Sequence, residues 1–348
     1  MPMFDSCPVD SSAWESFVDT QPQALFTHRH GYVQVLATTY RLPAVFLESK
    51  TASGQLVGVL PLMLFAAPDR ARRLISLPYS DGAGPLAEDE DVAGDLLRQA
   101  LLVAERVDCL HLEVRQAGDA PHISREHLPG WKHVGHTFKT GLARDLPSSS
   151  CTLWAELPDK VRNQVRKARK NGATVRTGGS ELLDDFYAVF SENMRDLGSP
   201  VHDSRLFAAL LGDPAMHAEV VVVSMAGEPV AAALVFTHRH TMFNPWASSL
   251  RRLRPLCPNM LLYWAMLDLA ITRGCRVFDF GRSTPGSPAH LFKQQWGAER
   301  RPLVWHVFSK RGAEWQPQLE NLADPAWKTL SLTQSRLQGP AVRRWISL

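Results

Sequence analysis

The stretch CRVFDFGRSTPGSPAHLFKQQWG, residues 275–297, narrows the choice of fold more than any other part of the sequence. It begins with a predicted strand that ends at Phe280, and a connection rich in glycine and proline follows. Ser287-Pro288 then predicts the start of a short helix, because serine caps helices and proline suits their first position. The apolar segment Met260–Thr272 predicts a helix that runs into the strand, which is typical of α/β proteins.

The same order of elements occurs once more, earlier in the chain. In each half an apolar hairpin with a glycine in its turn, Gly54 or Gly227, precedes further strands, a helix and a returning strand. Repetition half a chain apart predicts a duplicated domain, and a chance match between two ordinary α/β units is the alternative. We therefore predict a mixed α/β protein with two tandem domains, each a mixed sheet flanked by helices. The matching segments are Ala44–Glu48, Gln55–Phe65, Asp91–Val107 and Cys109–Val114 in the first half, and Glu219–Ser224, Pro229–Thr237, Met260–Thr272 and Cys275–Phe280 in the second.

Changes in composition predict where the domains meet. The polar segment Leu146–Ser150 precedes Trp154 and is typical of a linker. We therefore predict a first domain over residues 1–148 and a second over residues 149–310. Prolines interrupt scattered tryptophans and leucines in the remainder, 311–348, where we expect a tail with one or two helices.

Composition also restricts the class of protein. With 348 residues, 45% of them apolar and 21% charged, the chain resembles a globular protein of two domains. Its net charge of +3 is too small to indicate a nucleic-acid binder by itself, and we expect no DNA partner. The five cysteines include no C-x-x-C pair, which fits a reduced, cytoplasmic setting. We see no signal peptide and no transmembrane segment, and peripheral contact with a membrane stays open.

The segment Leu157–Lys170 predicts a strongly basic helix that Asp159 caps at its start and Gly172 ends. It carries six cationic side chains and one carboxylate. A solvated helix usually mixes in glutamates that relieve repulsion, so we infer an anionic partner such as a phosphate chain or an RNA backbone. A basic solvated face that only closes the domain is the alternative. The apolar seam of the helix consists of Val161, Val165 and Ala168, and the parallel basic stripe of Arg162, Arg166 and Arg169.

Two cations lie at the carboxyl end of the predicted strand 275–280. Arg282 leaves the strand end, and Lys293 on the following helix points about 100° away from Phe292, so it can lie above the strand. Ligands commonly bind at this edge of open α/β sheets. The alternative is a structural ion pair between Asp279 and Arg282 with Lys293 at the surface.

The motifs F-D-F-G-R at 278–282 and F-K-x-x-W-G at 292–297, joined by the loop rich in glycine and proline, resemble the FemAB family. In particular, they are similar to the FemAB-type proteins associated with exosortase/PEP-CTERM and exopolysaccharide systems. The likeness covers nearly the whole chain and depends on the order and spacing of all its motifs. The other matching stretches are Leu77–Leu86, Val165–Gly172, Asn193–Val201, Pro258–Trp264 and Gly339–Arg343.

This resemblance implies tandem acyl-CoA N-acyltransferase (GNAT-like) domains. It implies transfer of an acyl group from acyl-CoA or aminoacyl-tRNA to an amine or hydroxyl of a cell-envelope or exopolysaccharide precursor. The acceptor would be a small molecule or a lipid- or nucleotide-linked sugar, and we expect no cofactor besides the co-substrate. By motif, the candidates are Lys293 and Asp81 for catalysis, Phe292 for the donor, and Arg195 and Tyr79 for the acceptor. We add Arg282, Arg162, Arg166, Arg251 and Asn259 on the donor side and Trp246 on the acceptor side.

The donor stays open on sequence grounds. CoA-binding GNAT domains typically hold the pyrophosphate in a [Q/R]-x-x-G-x-[G/A] loop at a helix start. The corresponding segment Arg251–Asn259 contains no glycine, and the glycine-rich segment Asp81–Gly84 leads into the carboxylates of Glu88–Asp91, which would repel pyrophosphate. Arginines and Lys293 could still hold a donor as point charges. The coiled-coil arm of some family members is absent, which weakens the assignment of tRNA.

Two functions from different classes follow. The first is an acyltransferase in which the acceptor attacks the activated ester or thioester directly, with Asp81 as the base. The second is a non-catalytic protein of the same duplicated fold that binds an anionic glycan or RNA. We predict no metal site, because the pairs His28/His30 and His238/His240 lack a clear third ligand.

Overall fold

Contacts within the chain divide it into two units. The computed structural model describes residues 9–66, 71–118, 130–315 and 324–347. The first unit comprises residues 1–140, 301–319 and 345–348, and the second comprises 141–300 and 320–344. The domain limits that we predict from sequence, at residues 148 and 310, stay a prediction. The structure differs from them at the strand Leu303–Lys310, which lies in the first unit.

The described residues form helices and strands in the order that the two sequence repeats predict. In chain order they are α1 (Ser11–Thr20), α2 (His30–Tyr40), β1 (Ala44–Lys50), β2 (Leu56–Phe65), β3 (Arg73–Ile75), β4 (Leu86–Ala87), α3 (Glu90–Arg106), β5 (His111–Ala117), β6 (Trp131–His136), β7 (Thr140–Asp145), α4 (Ser150–Glu156), α5 (Asp159–Lys170), β8 (Thr174–Gly178), α6 (Leu183–Leu197), α7 (Ser204–Gly212), β9 (Ala218–Met225), β10 (Glu228–His238), β11 (Thr241–Ser249), α8 (Pro258–Thr272), β12 (Val277–Ser283), α9 (Pro288–Gln294), β13 (Glu299–Arg301), β14 (Leu303–Lys310), α10 (Pro325–Thr329) and α11 (Leu332–Arg343).

The first sheet has the strand order β1-β2-β3-β5-β14-β6, and β4 pairs with β2. β3 and β5 run parallel, while β14 pairs antiparallel with both β5 and β6, so the sheet is mixed. α3 packs on this sheet because its apolar residues recur every three or four positions. Its buried residues include Leu96, Ala100, Leu101 and Ala104, and Val92 is half-buried against the same cluster.

The second sheet has the strand order β13-β7-β12-β11-β10-β9-β8. β9 and β10 form the predicted hairpin, and Ala226 and Gly227 in its turn have positive φ values of 51° and 84°. β11 and β12 are its parallel pair, and α8 connects them. A helix between neighbouring parallel strands is the crossover that such strands require.

α5 is the predicted basic helix, and its seam of Val161, Val165 and Ala168 is buried. Gly172 has a φ of 78°, as expected of a glycine that ends a helix. The N-cap differs from the prediction by one residue: Pro158 is the cap, and Asp159 is the first helical residue, where it pairs with Arg162.

α10 and α11 form the predicted helical part of the tail and belong to the second unit. α11 lies close to the segment between α6 and α7, where Gly339 meets Val201 and the guanidinium of Arg343 donates to Nε2 of His202 at 3.0 Å. Within the described parts of the chain, no helix has the length and apolar character needed to cross a membrane.

Candidate functional site

The central feature of the second unit is an opening between the parallel strands β11 and β12. Their ladder joins Thr241–Phe243 to Val277–Asp279, and beyond it each strand continues without the other. β11 stays paired with β10 up to Ser249. Strands that part in this way leave backbone donors and acceptors facing a gap, which suits an extended ligand.

Polar side chains are buried where the two strands part. Tyr263 of α8 hydrogen-bonds Asn244 of β11, and burial raises the pKa of Tyr263 to about 12 while this bond opposes the rise. The phenol is therefore neutral at physiological pH. Oδ1 of Asn244 and Oγ of Ser283 are buried without a hydrogen-bond partner among the described residues. Buried polar atoms normally have partners, so these two are candidates for contact with a ligand or a water.

α9 holds Lys293 at the end of β12. The helix begins as predicted, because Oγ of Ser287 accepts the amide of His290 at 3.2 Å and Pro288 occupies the first helical position. Nζ of Lys293 donates to the carbonyl oxygens of Gly281 at 3.1 Å and Arg282 at 2.7 Å. The ammonium group is thus fixed above the strand end, as the sequence suggests, and its side chain is buried.

Aromatic rings pack around α9 and the turn that follows it. Trp296 is fully buried, and Phe292 is half-buried with its ring centroid 6.5 Å from that of Trp296. Tyr263 packs edge-on against Phe292 at 4.8 Å. At the other end of α9, Nη1 of Arg144 donates to the carbonyl of Trp296 at 2.6 Å. These contacts fix the helix that carries the candidate donor residues.

The start of α8 is strongly basic. The segment before it, Arg251–Leu256, forms a 3-10 helix rather than a glycine-rich loop, and no side chain caps α8. Arg254 is exposed, and Asn259 is half-buried in the first turn of α8. Unpaired amides at a helix start favour phosphate, and the arginines add positive charge. Arg252 is already engaged in an ion pair with Glu192.

The structure brings together two cations to which the sequence assigns different substrates. The guanidinium of Arg195 donates to the carboxylate of Asp196 at 2.8 Å, and Nη1 of Arg251 donates to the carbonyl of Asp196 at 3.3 Å. Trp246 instead packs inside the unit, where it is 8% exposed and 5.2 Å from the ring of Phe207. Its role as an acceptor contact stays a prediction, and its burial favours a packing role.

The basic residues of α5 lie on an outward face of the second unit. Arg166 is exposed and its guanidinium lies 5.4 Å from the ring centre of Trp154 on α4, which itself packs against Trp264 of α8. Arg162 is half-buried and paired with Asp159. Lys160 and Lys167 are exposed, as are Arg169 and Lys170. This face is well suited to an anion.

In the first unit, the candidate residues Tyr79 and Asp81 lie on a strained loop. Leu77 and Tyr79 have φ values of 60° and 63°, and such left-handed conformations cost non-glycine residues about 1–3 kcal/mol each. Arg115 of β5 stabilises the loop: Nη1 donates to the carbonyls of Leu77 at 3.4 Å and Ser80 at 3.0 Å. Strained backbone that its surroundings hold in place is often found at functional sites.

The charge of Arg115 is balanced inside the first unit. Its guanidinium pairs with Glu113 at 2.6 Å and lies 4.0 Å from the ring centre of Trp305 on β14. Both charged side chains are essentially inaccessible to solvent. Because the arginine of this buried ion pair also donates to the loop carbonyls, it favours one loop conformation over its alternatives.

A tyrosine and a histidine complete the surroundings of this loop. Burial raises the pKa of Tyr32 to about 12, the charge of Asp81 acts in the same direction, and a hydrogen bond with Ser80 opposes them. His28 accepts the amide of Leu25 on Nδ1 at 2.9 Å, so its proton lies on Nε2, which donates to the carbonyl of Gly84 at 3.0 Å. His28 therefore has a structural role. Among the described residues no cluster of three or more His, Cys, Asp or Glu could hold a metal ion.

Tyr263, Asn244 and Arg115 are candidate functional residues that sequence reasoning does not single out. Tyr263 is a polar residue inside the apolar helix α8, and this contrast is the one local signal that the sequence offers for it. Their partners, however, come from distant parts of the chain, and periodicity within one element does not predict these partners.

A family profile matches the second unit. Residues 159–294 match the profile described as acetyltransferase (GNAT) domain, which extends from α5 to the end of α9. No curated protein matches the chain in a sequence search.

Solved structures resemble this chain over most of its length. FemX aligns over 86% of this chain and 96% of its own, with 15% identity and a TM-score of 0.65. L-PGS from Bacillus licheniformis aligns over 99% of each chain, with 13% identity and a TM-score of 0.57. The C-terminal domain of a putative lysylphosphatidylglycerol synthetase from Agrobacterium fabrum aligns over 86% and 91%, with 12% identity and a TM-score of 0.56. At these identities the likeness concerns the fold, and the predicted class, mixed α/β with two GNAT-like domains, is confirmed.

Proposed function

We propose that the protein is an acyltransferase or aminoacyltransferase that binds its donor in the second unit. The observation that carries this proposal is the opening between β11 and β12, with the basic start of α8 and the ammonium group of Lys293 in the same unit. The match of this unit to the GNAT acetyltransferase family supports the reaction class.

In the proposed reaction the acceptor amine or hydroxyl attacks the carbonyl carbon of the activated ester or thioester. The bond from that carbon to the leaving oxygen or sulfur then breaks, and no covalent enzyme intermediate forms. Lys293 supplies a positive charge fixed by two carbonyls, and fixed charges stabilise developing negative charge without reorganisation. Asp81 of the first unit is our candidate for the base that accepts the proton of the nucleophile.

The donor that we favour is an aminoacyl-tRNA, with acyl-CoA as the second candidate. A glycine-free 3-10 helix replaces the usual pyrophosphate loop before α8, which speaks against the ordinary mode of CoA binding. The exposed cations of α5 suit a longer anionic chain. One structural relative is named a putative lysylphosphatidylglycerol synthetase, and that name adds a phospholipid to the candidate acceptors.

The resemblance in sequence motifs further suggests that the protein acts on a cell-envelope or exopolysaccharide precursor, and the cysteine usage favours a cytoplasmic setting. The small molecules and lipid- or nucleotide-linked sugars of that pathway are therefore the acceptors to test first. Exosortase association is part of the same proposal.

The experiment that tests the donor is product analysis by mass spectrometry. The purified chain is incubated with a mixture of candidate acceptors and either aminoacyl-tRNA or acyl-CoA. Transfer that RNase abolishes supports the tRNA donor, whereas turnover with purified acyl-CoA alone overturns it. If neither donor yields product but labelled RNA or an anionic glycan binds, the non-catalytic alternative replaces the proposal.

Lys293→Ala tests the catalytic assignment. We expect a loss of turnover of roughly 10²-fold or more, since removing one charge-stabilising donor typically has that effect, with donor binding retained. Lys293→Met keeps the apolar stem and shows whether the loss is due to unfolding. Lys310→Ala is the control, because Lys310 pairs with Asp108 in the first unit and should not affect the reaction. Unchanged turnover in Lys293→Ala would contradict the assignment.

A further inference from the structure

The segment Trp345–Ser347 lies against the strained loop of the first unit. The carbonyl oxygen of Ser347 accepts the amide of Tyr79 at 2.8 Å. The same oxygen accepts Nη1 of Arg115 at 2.8 Å, and the hydroxyl of Ser347 accepts Nη2 at 3.2 Å. Ser347 is therefore bonded to the loop directly and also to the arginine that holds the loop.

These bonds are shielded from water. Ser347 is 2% exposed and Arg115 is 0% exposed, so water does not compete for their hydrogen bonds. Trp345 packs edge-on against Phe65 of β2 with ring centroids 5.9 Å apart, which anchors the start of the segment. Hydrogen bonds in such surroundings are stronger than at the surface.

The arrangement concerns the backbone of Tyr79 in particular. A tyrosine at a φ of 63° is held against its own preference, and its amide is fixed by an acceptor that is distant in sequence. Without Ser347, the amide of Tyr79 would lose this partner and the guanidinium of Arg115 would lose two of its acceptors. The ordinary β conformation of Tyr79 would then become accessible, and the directions of the Tyr79 and Asp81 side chains would change.

We propose that Trp345–Ser347 is a positioning element that sets the loop Leu77–Asp81 for the acceptor. Ser347 does not touch substrate in this role and acts through the backbone of Tyr79 and the side chain of Arg115. The consequence for activity rests on the proposed function, in which Tyr79 and Asp81 serve the acceptor; the consequence for the loop does not.

Two chains that differ by one residue test the proposal. A chain that stops after Ser347 keeps an oxygen in the place of its carbonyl, whereas a chain that stops after Ile346 does not. In the shorter chain we expect the amide of Tyr79 to exchange its hydrogen at least tenfold faster, with the amides of β2 and β5 unaffected. Ser347→Ala keeps the carbonyl and should protect Tyr79 as the unchanged protein does.

Kinetics separate positioning from general stability. The chain that stops after Ile346 should show a raised KM for the acceptor, while the KM for the donor stays the same, because the donor residues lie in the second unit. Unchanged exchange at Tyr79, or equally faster exchange throughout the first unit, would overturn the proposal. If the full chain transfers no acyl group, the proposed function fails and hydrogen exchange alone still decides the role of the segment.

Discussion

Two buried histidines, His28 in the first unit and His202 in the second, are held in their neutral form. Burial lowers the pKa of His28 to about 4, against the opposing effect of its bond to the carbonyl of Gly84. For His202, burial and then the charge of Arg343 lower the pKa well below its usual value. Both imidazole rings stay neutral in the folded protein at pH values where the unfolded chain is protonated. The free energy of unfolding therefore depends on pH.

The pKa of His28 predicts that stability falls in mild acid. Between about pH 6.5 and pH 4 the unfolded chain binds a proton at His28 that the folded chain does not, so the free energy of unfolding decreases as pH falls. From pH 7 to pH 5 we expect this one residue to remove about 2 kcal/mol. Urea unfolding at the two pH values measures the loss.

The control for this prediction is His28→Asn. The amide oxygen of asparagine can replace Nδ1 as the acceptor of the Leu25 amide, but the side chain does not titrate. We expect this variant to be less stable at pH 7 and to lose less stability on going to pH 5. An identical pH dependence in both proteins would contradict the role of His28.

For single residues, the sequence predicts which side chains are of interest and not which contacts they make. In the sequence His28 stands out only as one member of the pair His28/His30, and its burial against Gly84 depends on a contact 56 positions away in the chain. The sequence predicts that Lys293 lies at the strand end, because the helix period and the end of the strand are both local features. Its two carbonyl partners follow from the same local geometry.

At the scale of elements, the contact of α11 with the segment after α6 depends on the absence of a side chain at Gly339. A Cβ there would lie 2.8 Å from Cγ1 and 2.9 Å from the amide nitrogen of Val201. Gly339→Ala should therefore lower the free energy of unfolding by about 1–3 kcal/mol, although alanine is the better helix former. Chemical denaturation measures this change.

Gly212→Ala is the matched control. Gly212 is also helical, as the last residue of α7, but a Cβ there meets no atom within 4 Å. This variant should be neutral or more stable by up to about 1 kcal/mol, because only the helix propensity changes. Equal destabilisation in both variants would show that close packing at Val201 is not the cause.

The exposed face of α5 predicts a dependence of donor binding on salt. Arg169→Glu should weaken binding of an RNA donor by roughly tenfold at low salt, and it should reduce the slope of log affinity against log salt. Arg311→Glu reverses a charge that is also exposed but lies in the first unit, and it serves as the control. Equal effects of the two reversals in a filter-binding titration would indicate general charge rather than a site on α5.

The helix α5 was predictable almost to the residue, and β14 was not. The apolar seam and the cationic stripe of α5 recur with the period of the helix itself, so they are visible in its own twelve residues. β14 is an apolar strand that nothing in its own residues assigns to one sheet. It belongs to the first sheet because it pairs with β5 and β6, more than 165 positions earlier in the chain.

At the scale of the whole molecule, the position of β14 predicts that residues 1–148 do not fold by themselves. In the first sheet β14 lies between β5 and β6 and contributes Phe308 to the core. A chain of residues 1–148 would expose strand edges and apolar surface, so we expect no cooperative transition on thermal unfolding.

Restoring β14 provides the control. Residues 1–140 joined by a glycine-serine linker to residues 301–315 contain all the strands of the first sheet. We expect this chain to unfold cooperatively, as followed by circular dichroism. A cooperative transition in the shorter chain would instead support residue 148 as the end of a folding domain.

The sequence by itself determined the elements, their duplicated order, the mixed α/β class and the basic face of α5. These features follow from local periodicity, glycine in turns and helix capping, which act within a few residues. Only the tertiary structure decided that β14 completes the first sheet, that Trp246 is buried, and that Ser347 fixes the amide of Tyr79. Such pairings join residues far apart in the chain, and they are selected by burial and hydrogen-bond geometry that no single stretch of sequence contains.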